Sequence, residues 1–225
     1  MVRFRRAKFA YQDIHMNWSQ YFNLMRDWKQ LPAYKAEPRI DSLIGYYMPE
    51  IVEDYCREEI VGIIPELPIR LATIKPIHEG TTYADKSYKV DFYLLAKSGK
   101  HYFVEFKTDS GSRRDEQDLY LSEAKTMGMD AIIQGIARIA SVSSYKKKYA
   151  HLKGKLNALR LMNDDGSFGG QNKAIEILYV QPRRKDTDTG TIIDFTWIAK
   201  WLTDKYGSGE FESQLAKSLL AWAAD

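Results

Sequence analysis

The fold is decided by residues 88–109, YKVDFYLLAKSGKHYFVEFKTD, because this stretch predicts two paired strands. Its apolar runs, 90–96 and 102–106, are rich in Val, Phe and Tyr, which favour β-strands, and they flank Lys97-Ser98-Gly99. A three-residue loop whose third residue is left-handed is a common hairpin connection, and Gly99 adopts that conformation at little cost. The stretch therefore predicts a β-hairpin.

The expected loop determines which side chains share a face of the hairpin. It pairs Ala96 with Lys100 and therefore places Asp91 opposite Glu105. Because side chains alternate across a strand, Asp91, Glu105 and Lys107 are expected on one face. A shift of one residue in register would separate the two acids, so the prediction depends on the loop. The other face is apolar and carries Phe92, Leu94, Val104 and Phe106.

The opposed carboxylates of Asp91 and Glu105 are unusual for a structural hairpin, because directly paired like charges repel each other. A divalent cation reverses the sign of that interaction, since carboxylate oxygens suit Mg²⁺ or Mn²⁺. Lys107 would add an ammonium that orients a water or stabilises charge developing on a phosphate. The alternative is a solvated charged face on which Lys107 pairs with Glu105, and the spacing alone leaves both interpretations open.

At these residues the sequence resembles the PD-(D/E)XK nuclease superfamily, in which an Asp on one hairpin strand and an E-x-K on the next form the active site. Asp91 stands in VDF and Glu105-Phe106-Lys107 in VEFKTD, with a valine in place of the Pro of the family name. The order of elements over 41–181 is also similar. The resemblance implies that Asp91, Glu105 and the Phe106 carbonyl hold Mg²⁺ or Mn²⁺ and that Lys107 positions the attacking water.

The resemblance also indicates residues outside the hairpin. In this superfamily an early helix, here predicted over 41–59, often donates a Glu to the metal, and Glu50 beside its apolar stripe is the favoured candidate. A solvated acidic face is the alternative. RecB-like nucleases place a Gln and a Tyr on the helix after the hairpin, which is expected here to begin near Arg113. Gln117 is therefore a predicted catalytic residue; the alternative is a polar side chain that is half exposed on the helix. Tyr120 follows Gln117 at a spacing one residue shorter than the family's, which counts against Tyr120 as a site residue.

Basic side chains near the predicted site indicate contacts to phosphate groups. Arg113 and Arg114 stand at the start of the helix, and a Tyr-Lys-Lys-Lys-Tyr run contains Lys146, Lys147 and Lys148. Such a run is also typical of a solvated face; beside a nuclease-like site it predicts a salt-sensitive patch for a nucleic-acid backbone. The predicted partner is therefore nucleic acid, with DNA the expected substrate.

The composition is ordinary for a globular protein: 225 residues, 44% hydrophobic and 28% charged. A formal net charge of +3 does not by itself indicate a nucleic-acid-binding protein. The single cysteine, Cys56, excludes an internal disulfide and fits a reducing cytoplasm. The sequence has no apolar run of 18 residues, and no apolar segment follows the basic N terminus. We therefore expect a cytoplasmic protein without a membrane span or signal peptide.

Together these patterns predict one α/β domain: a helical N-terminal extension (1–40), a core (41–181) and C-terminal helices (182–225). The resemblance implies a restriction-endonuclease-like core, a mixed sheet of about four to five strands whose central hairpin is flanked by helices. The last strand is predicted at 174–180, and a closing helix at 192–206. The expected activity is hydrolysis of DNA phosphodiester bonds, for which a homodimer would supply two sites. The alternatives are a non-catalytic module of this fold that binds nucleic acid or protein, and a scaffold domain with aromatic interfaces.

Overall fold

The structure is a computed structural model that describes most of the chain. The described residues are 17–29, 37–109, 115–186, 188 and 190–224. The predicted phosphate-contacting residues Arg113 and Arg114 lie outside them, and so do residues 1–16 and 30–36 of the predicted N-terminal extension.

The described residues form a sheet whose five strands lie in the order of the sequence. Strands β1–β2 and β2–β3 pair antiparallel, whereas β3–β4 and β4–β5 pair parallel. The predicted α/β class and the mixed sheet built around a hairpin are therefore confirmed. The strands are β1 (Ile60–Arg70), β2 (Ser87–Ala96), β3 (His101–Phe106), β4 (Ile175–Gln181) and β5 (Thr191–Asp194).

Helices cover both faces of this sheet. Apolar side chains of α1, α2, α6 and α7 pack against one face, and those of α4 and α5 pack against the other. In the described part of the chain, no helix combines the length and apolar character needed to cross a bilayer. The helices are α1 (Trp18–Lys29), α2 (Glu37–Cys56), α3 (Leu71–Ile74), α4 (Asp115–Val142), α5 (Lys146–Ala158), α6 (Phe195–Tyr206) and α7 (Glu210–Ala224).

The hairpin of β2 and β3 has the predicted register. Phe92 lies opposite Val104, and the Ala96 N–H donates to the Lys100 carbonyl at 3.0 Å. Gly99 has a φ of +86°, the left-handed conformation that the loop requires. Phe92 and Val104 consequently pack beneath α2 in one hydrophobic cluster, and the alternate positions of β3 face α4.

Strand β5 corrects one prediction from the sequence. The predicted helix over 192–206 begins too early, because residues 192–194 belong to β5 and pair with β4. Ile192 and Ile193 are both buried, on opposite faces of the sheet, as strand residues are. Asp194 then ends the strand and caps α6, because its carboxylate accepts a hydrogen bond from the Trp197 N–H at 2.8 Å. The predicted strand at 174–180 is confirmed as β4.

Helix α4 is two helical segments that meet at Gly128, whose φ of 81° and ψ of 164° are not helical. The first segment buries Tyr120 and Leu121 against the face of the sheet that Glu105 shares. The second continues over the same face to Val142. This arrangement places the start of α4 above the open end of the hairpin.

Candidate active site

Three oxygen atoms converge on the ammonium of Lys107. Its Nζ lies 2.6 Å from Glu105 Oε1, 3.0 Å from the Phe106 carbonyl oxygen and 3.8 Å from Asp91 Oδ2. The side chains of Glu105 and Lys107 are only 1% and 4% exposed, whereas that of Asp91 is 23% exposed. The structure therefore brings together all four residues predicted on the hairpin, in a site that opens to solvent at Asp91.

Strand β2 is irregular beside Asp91, whose carboxylate contacts β3. Val90 and Tyr93 both pack on the α4 side of the sheet, whereas Phe92 packs on the other, so the strict alternation of the strand is broken at Asp91. Across the strand pair, Glu66 of β1 has a φ of +54°. Asp91 Oδ2 accepts a hydrogen bond from the Phe106 N–H at 2.7 Å, and that bond fixes its carboxylate beside Lys107.

Helix α4 supplies two donors to the buried carboxylate of Glu105. Gln117 Nε2 donates to Glu105 Oε1 at 2.6 Å, and the Tyr120 hydroxyl lies 3.5 Å from Oε2. A buried carboxylate without such partners would be strongly destabilising. The structure thus places Gln117 where the sequence predicted it. The contact shown for its amide is the hydrogen bond to Glu105.

Tyr120 belongs to the site although its spacing from Gln117 argued against it. The single proton of its hydroxyl is shared between the Lys89 carbonyl oxygen at 3.1 Å and Glu105 Oε2 at 3.5 Å, and its ring stacks on Tyr88 at 4.4 Å. Burial first, then the charges of Glu105 and Asp91, raises the pKa of Tyr120 far above its ordinary value. The phenol therefore remains a hydrogen-bond donor. The signal in the sequence was its place three residues after Gln117, on the same helix face.

Glu50, the predicted additional metal ligand, is not brought to the site. It lies on α2, which covers the face of the sheet opposite Glu105. Glu50 Oε2 accepts from the Tyr206 hydroxyl at 2.5 Å and from Lys205 Nζ at 2.8 Å. The hydrogen bond from Lys205, then that from Tyr206, holds the pKa of Glu50 below its ordinary value. The Glu50 carboxylate therefore joins α2 to α6.

Glu50→Gln is expected to change stability and not metal binding. A lowered carboxyl pKa in the folded state contributes stability above the ordinary pKa of 4.5, and that contribution is lost as the pH falls through the lowered value. The difference should stay below about 1 kcal/mol, because the ion pair is half exposed. Urea unfolding should show wild type more stable at pH 6, with the difference between the two proteins shrinking as the pH falls below 4.5. A smaller thermal shift with Mn²⁺ at pH 7 in Glu50→Gln would make it a metal ligand after all.

The three lysines of the predicted basic patch do not share one surface. Lys146 Nζ donates to the Ser141 carbonyl at 2.6 Å and to the Ala140 carbonyl at 3.3 Å, so it provides hydrogen-bond donors for carbonyl groups at the C-terminal end of α4. Lys148 lies 5.7 Å from the ring centre of Tyr145 and borders a groove. Lys147 is exposed between them. Of the three, Lys148 is the one that lines this groove.

The hairpin oxygens fit a hard divalent ion as a small ligand set. Among the described residues, no group of three or more His, Cys, Asp or Glu side chains is arranged to bind a metal. Mg²⁺ often takes only one or two protein carboxylates and completes its shell with water and substrate phosphate. The oxygens of Asp91, Glu105 and Phe106 already surround one cation, the Lys107 ammonium. This donor set is therefore compatible with Mg²⁺ or Mn²⁺.

Similarity to known proteins does not assign this site. No family model, no curated protein and no solved structure matches the chain. The chemistry of the site is therefore inferred from its own groups. These are the oxygens of Asp91, Glu105 and Phe106, the Lys107 ammonium beside the two acids, and the Gln117 amide that donates to Glu105. Such a combination suits hydrolysis at a phosphate ester.

Proposed function

We propose that this protein is a metal-dependent nuclease of the PD-(D/E)XK type that hydrolyses DNA phosphodiester bonds. The observation that carries the proposal is the convergence of Asp91, Glu105 and the Phe106 carbonyl on the ammonium of Lys107. The order of a hairpin, a covering helix and a parallel strand supports a restriction-endonuclease-like core. The choice of DNA comes from the family resemblance alone, and a homodimer would supply two sites for a duplex.

Asp91, Glu105 and the Phe106 carbonyl would hold the metal. Bound Mg²⁺ or Mn²⁺ lowers the pKa of a coordinated water and offsets charge on the phosphate. In the free protein, Lys107 offsets the charges of the two acids and so allows them to lie close together. Toward a substrate, the same ammonium would donate a hydrogen bond to the attacking water or to a phosphate oxygen.

Gln117 and Tyr120 would act by positioning Glu105. One donor faces each oxygen of that carboxylate, so its plane is held in one orientation. A carboxylate fixed in this way needs less reorganisation when charge develops at the reacting phosphate. The Tyr120 phenol keeps its proton at neutral and alkaline pH, because its pKa is raised. Both residues are therefore expected to serve without exchanging protons.

The direct test is cleavage of labelled oligonucleotides by wild-type protein. We expect product from DNA with Mg²⁺ or Mn²⁺, none in excess EDTA, and recovery when metal is restored. Single strands and duplexes of DNA and RNA, resolved on denaturing gels, would identify the substrate. Asp91→Asn protein purified in parallel controls for contaminating nuclease. Absence of product from every substrate would overturn the nuclease, and metal-dependent binding without product would favour the non-catalytic binding module.

A further inference from the structure

A groove of about 490 Å³ lies between the β1–β2 pair and helix α5. This volume is within the range of ordinary ligand sites. The groove adjoins the candidate active site, because Lys89 on its wall is two residues before Asp91 in β2. The lining residues that matter here are Glu66, Lys89, Tyr145, Lys148, Tyr149 and Leu152.

The helical wall of the groove combines aromatic rings with a lysine. Lys148, Tyr149 and Leu152 stand three, four and seven residues after Tyr145, the residue that precedes α5, so the four line one side at the start of this helix. Tyr145 is 66% exposed, and Lys148 Nζ lies 5.7 Å from its ring centre. Flat rings alternating with a cation are the usual surface for stacked bases and their phosphates.

The strand wall adds a second cation and a link to the acids. Lys89 is 60% exposed and lies 3.1 Å from Glu66. Lys89 of β2 and Tyr149 of α5 line the groove from its two walls. The Lys89 carbonyl accepts from the Tyr120 hydroxyl at 3.1 Å, and the same hydroxyl is 3.5 Å from Glu105. The groove and the acids are thus joined through one side chain.

We infer that this groove binds single-stranded DNA beside the phosphate to be cut, with Tyr145 and Tyr149 stacking on bases and Lys89 and Lys148 contacting phosphates. Bases in a duplex are stacked on each other, so their faces reach protein rings only when the strand is unpaired. The inference rests on the proposed nuclease function and refines it. It selects single strands, or frayed ends, over intact duplex.

Equilibrium binding without metal tests the groove separately from cleavage. The probe is a fluorescein-labelled 20-nucleotide DNA, alone or as a blunt duplex, titrated with full-length protein in EDTA and followed by anisotropy. We expect wild type to prefer the single strand. Tyr145→Ala should raise Kd for the single strand about tenfold, since stacking contributes that much per base. Lys148→Ala should also weaken binding and should reduce the salt slope of log Kd by about one.

Two control variants match these changes. Lys147→Ala removes the neighbouring exposed lysine, which lies about 100° around the helix from Lys148. Tyr46→Ala removes a tyrosine that is 77% exposed on α2, the opposite side of the sheet. Both should change Kd less than twofold. Equal affinity for single strand and duplex, equal loss in Lys147→Ala and Lys148→Ala, or no binding of the single strand would each overturn the inference.

The two proposals fail in different ways. If the binding pattern holds and wild type cuts nothing with metal, the groove is supported and the nuclease is not. If wild type cuts DNA and the groove variants bind and cut as wild type does, the nuclease stands and the groove assignment falls.

Discussion

Lys107→Met is expected to lower the rate of phosphodiester cleavage by about 10³-fold. The ammonium lies within reach of both acids, at 2.6 Å from Glu105 and 3.8 Å from Asp91, and it is almost completely buried. A positioned group that donates to a reacting water or a developing anion typically contributes about 10²- to 10⁴-fold. Methionine keeps most of the volume of the side chain, so the loss of rate reports the missing charge and donor. Single-turnover cleavage at saturating metal gives the measurement.

The same variant should respond more strongly to metal than wild type does. Without the ammonium, the buried carboxylate of Glu105 loses its ion pair, a change that costs about 3 kcal/mol of folding stability for a buried pair. A divalent ion held by the same oxygens would offset this loss. We therefore expect a lower Tm than wild type in EDTA and a larger rise in Tm when Mn²⁺ is added. Replacement of a lysine that only stabilises the fold would lower Tm in EDTA without increasing the rise in Tm with Mn²⁺.

Lys97→Met is the matched control for Lys107→Met. Lys97 lies on the loop of the same hairpin, is 68% exposed and pairs with Glu59 at 2.6 Å. Its removal should leave cleavage and the metal response unchanged, because exposed ion pairs contribute little. Cleavage retained in Lys107→Met would remove this residue from the mechanism. An unaltered metal response would mean that the ammonium and the metal do not share their oxygen ligands.

The hairpin part of the site could be predicted because its determinants are local. Gly99 decides the loop, the loop decides the register, and the register places Asp91 by Glu105 and Lys107. The final orientation of Asp91 could not be predicted in the same way. It coincides with a break in the alternation of β2 and, in the neighbouring β1, with Glu66, a residue in the left-handed conformation without being glycine. Such a conformation is uncommon for a residue other than glycine, so the identity of Glu66 does not indicate it.

Residues whose roles depend on distant parts of the chain were harder to assign. Glu50 sits beside an apolar stripe as a metal ligand would, yet its partners Lys205 and Tyr206 are about 155 positions away in the sequence. Lys146 and Lys148 are equivalent as letters in a basic run. The structure distinguishes them, because Lys146 donates to a carbonyl at the end of α4 and Lys148 lines the groove beside the start of β2. Helical periodicity predicts on which side of a helix a residue lies, but it does not predict which residues of other elements pack against that side.

Asp91→Asn is expected to remove both cleavage and the stabilisation of the protein by metal. The amide oxygen of Asn preserves the acceptor for the Phe106 N–H, which Asp91 Oδ2 now contacts at 2.7 Å. The fold and the hairpin register should therefore survive. The negative charge is lost, and Mg²⁺ and Mn²⁺ bind neutral amide oxygens far less readily than carboxylates. Cleavage should fall below detection with either metal.

Thermal unfolding during a titration with Mg²⁺ or Mn²⁺ measures the second effect. A ligand that binds only the folded protein stabilises it by about 2.7 kcal/mol at a concentration of 100 Kd, so wild type should show a clear rise in Tm. Asp91→Asn should show little rise. Asp54→Asn is the matched control: Asp54, on α2, accepts a hydrogen bond from Trp201 Nε1 at 2.6 Å on the other side of the sheet. It should respond as wild type does.

Comparison of Asp91→Asn with Lys107→Met gives the strictest test of the site. Both changes should greatly reduce cleavage, so loss of activity alone does not distinguish a metal ligand from a catalytic donor. Their effects on metal-induced stabilisation should have opposite signs, because one removes an oxygen ligand and the other removes the cation that competes for it. Equal metal responses in Asp91→Asn and wild type would show that this carboxylate binds no metal. The convergence of oxygens on Lys107 would then be an ion pair of the fold, and the nuclease assignment would lose its basis.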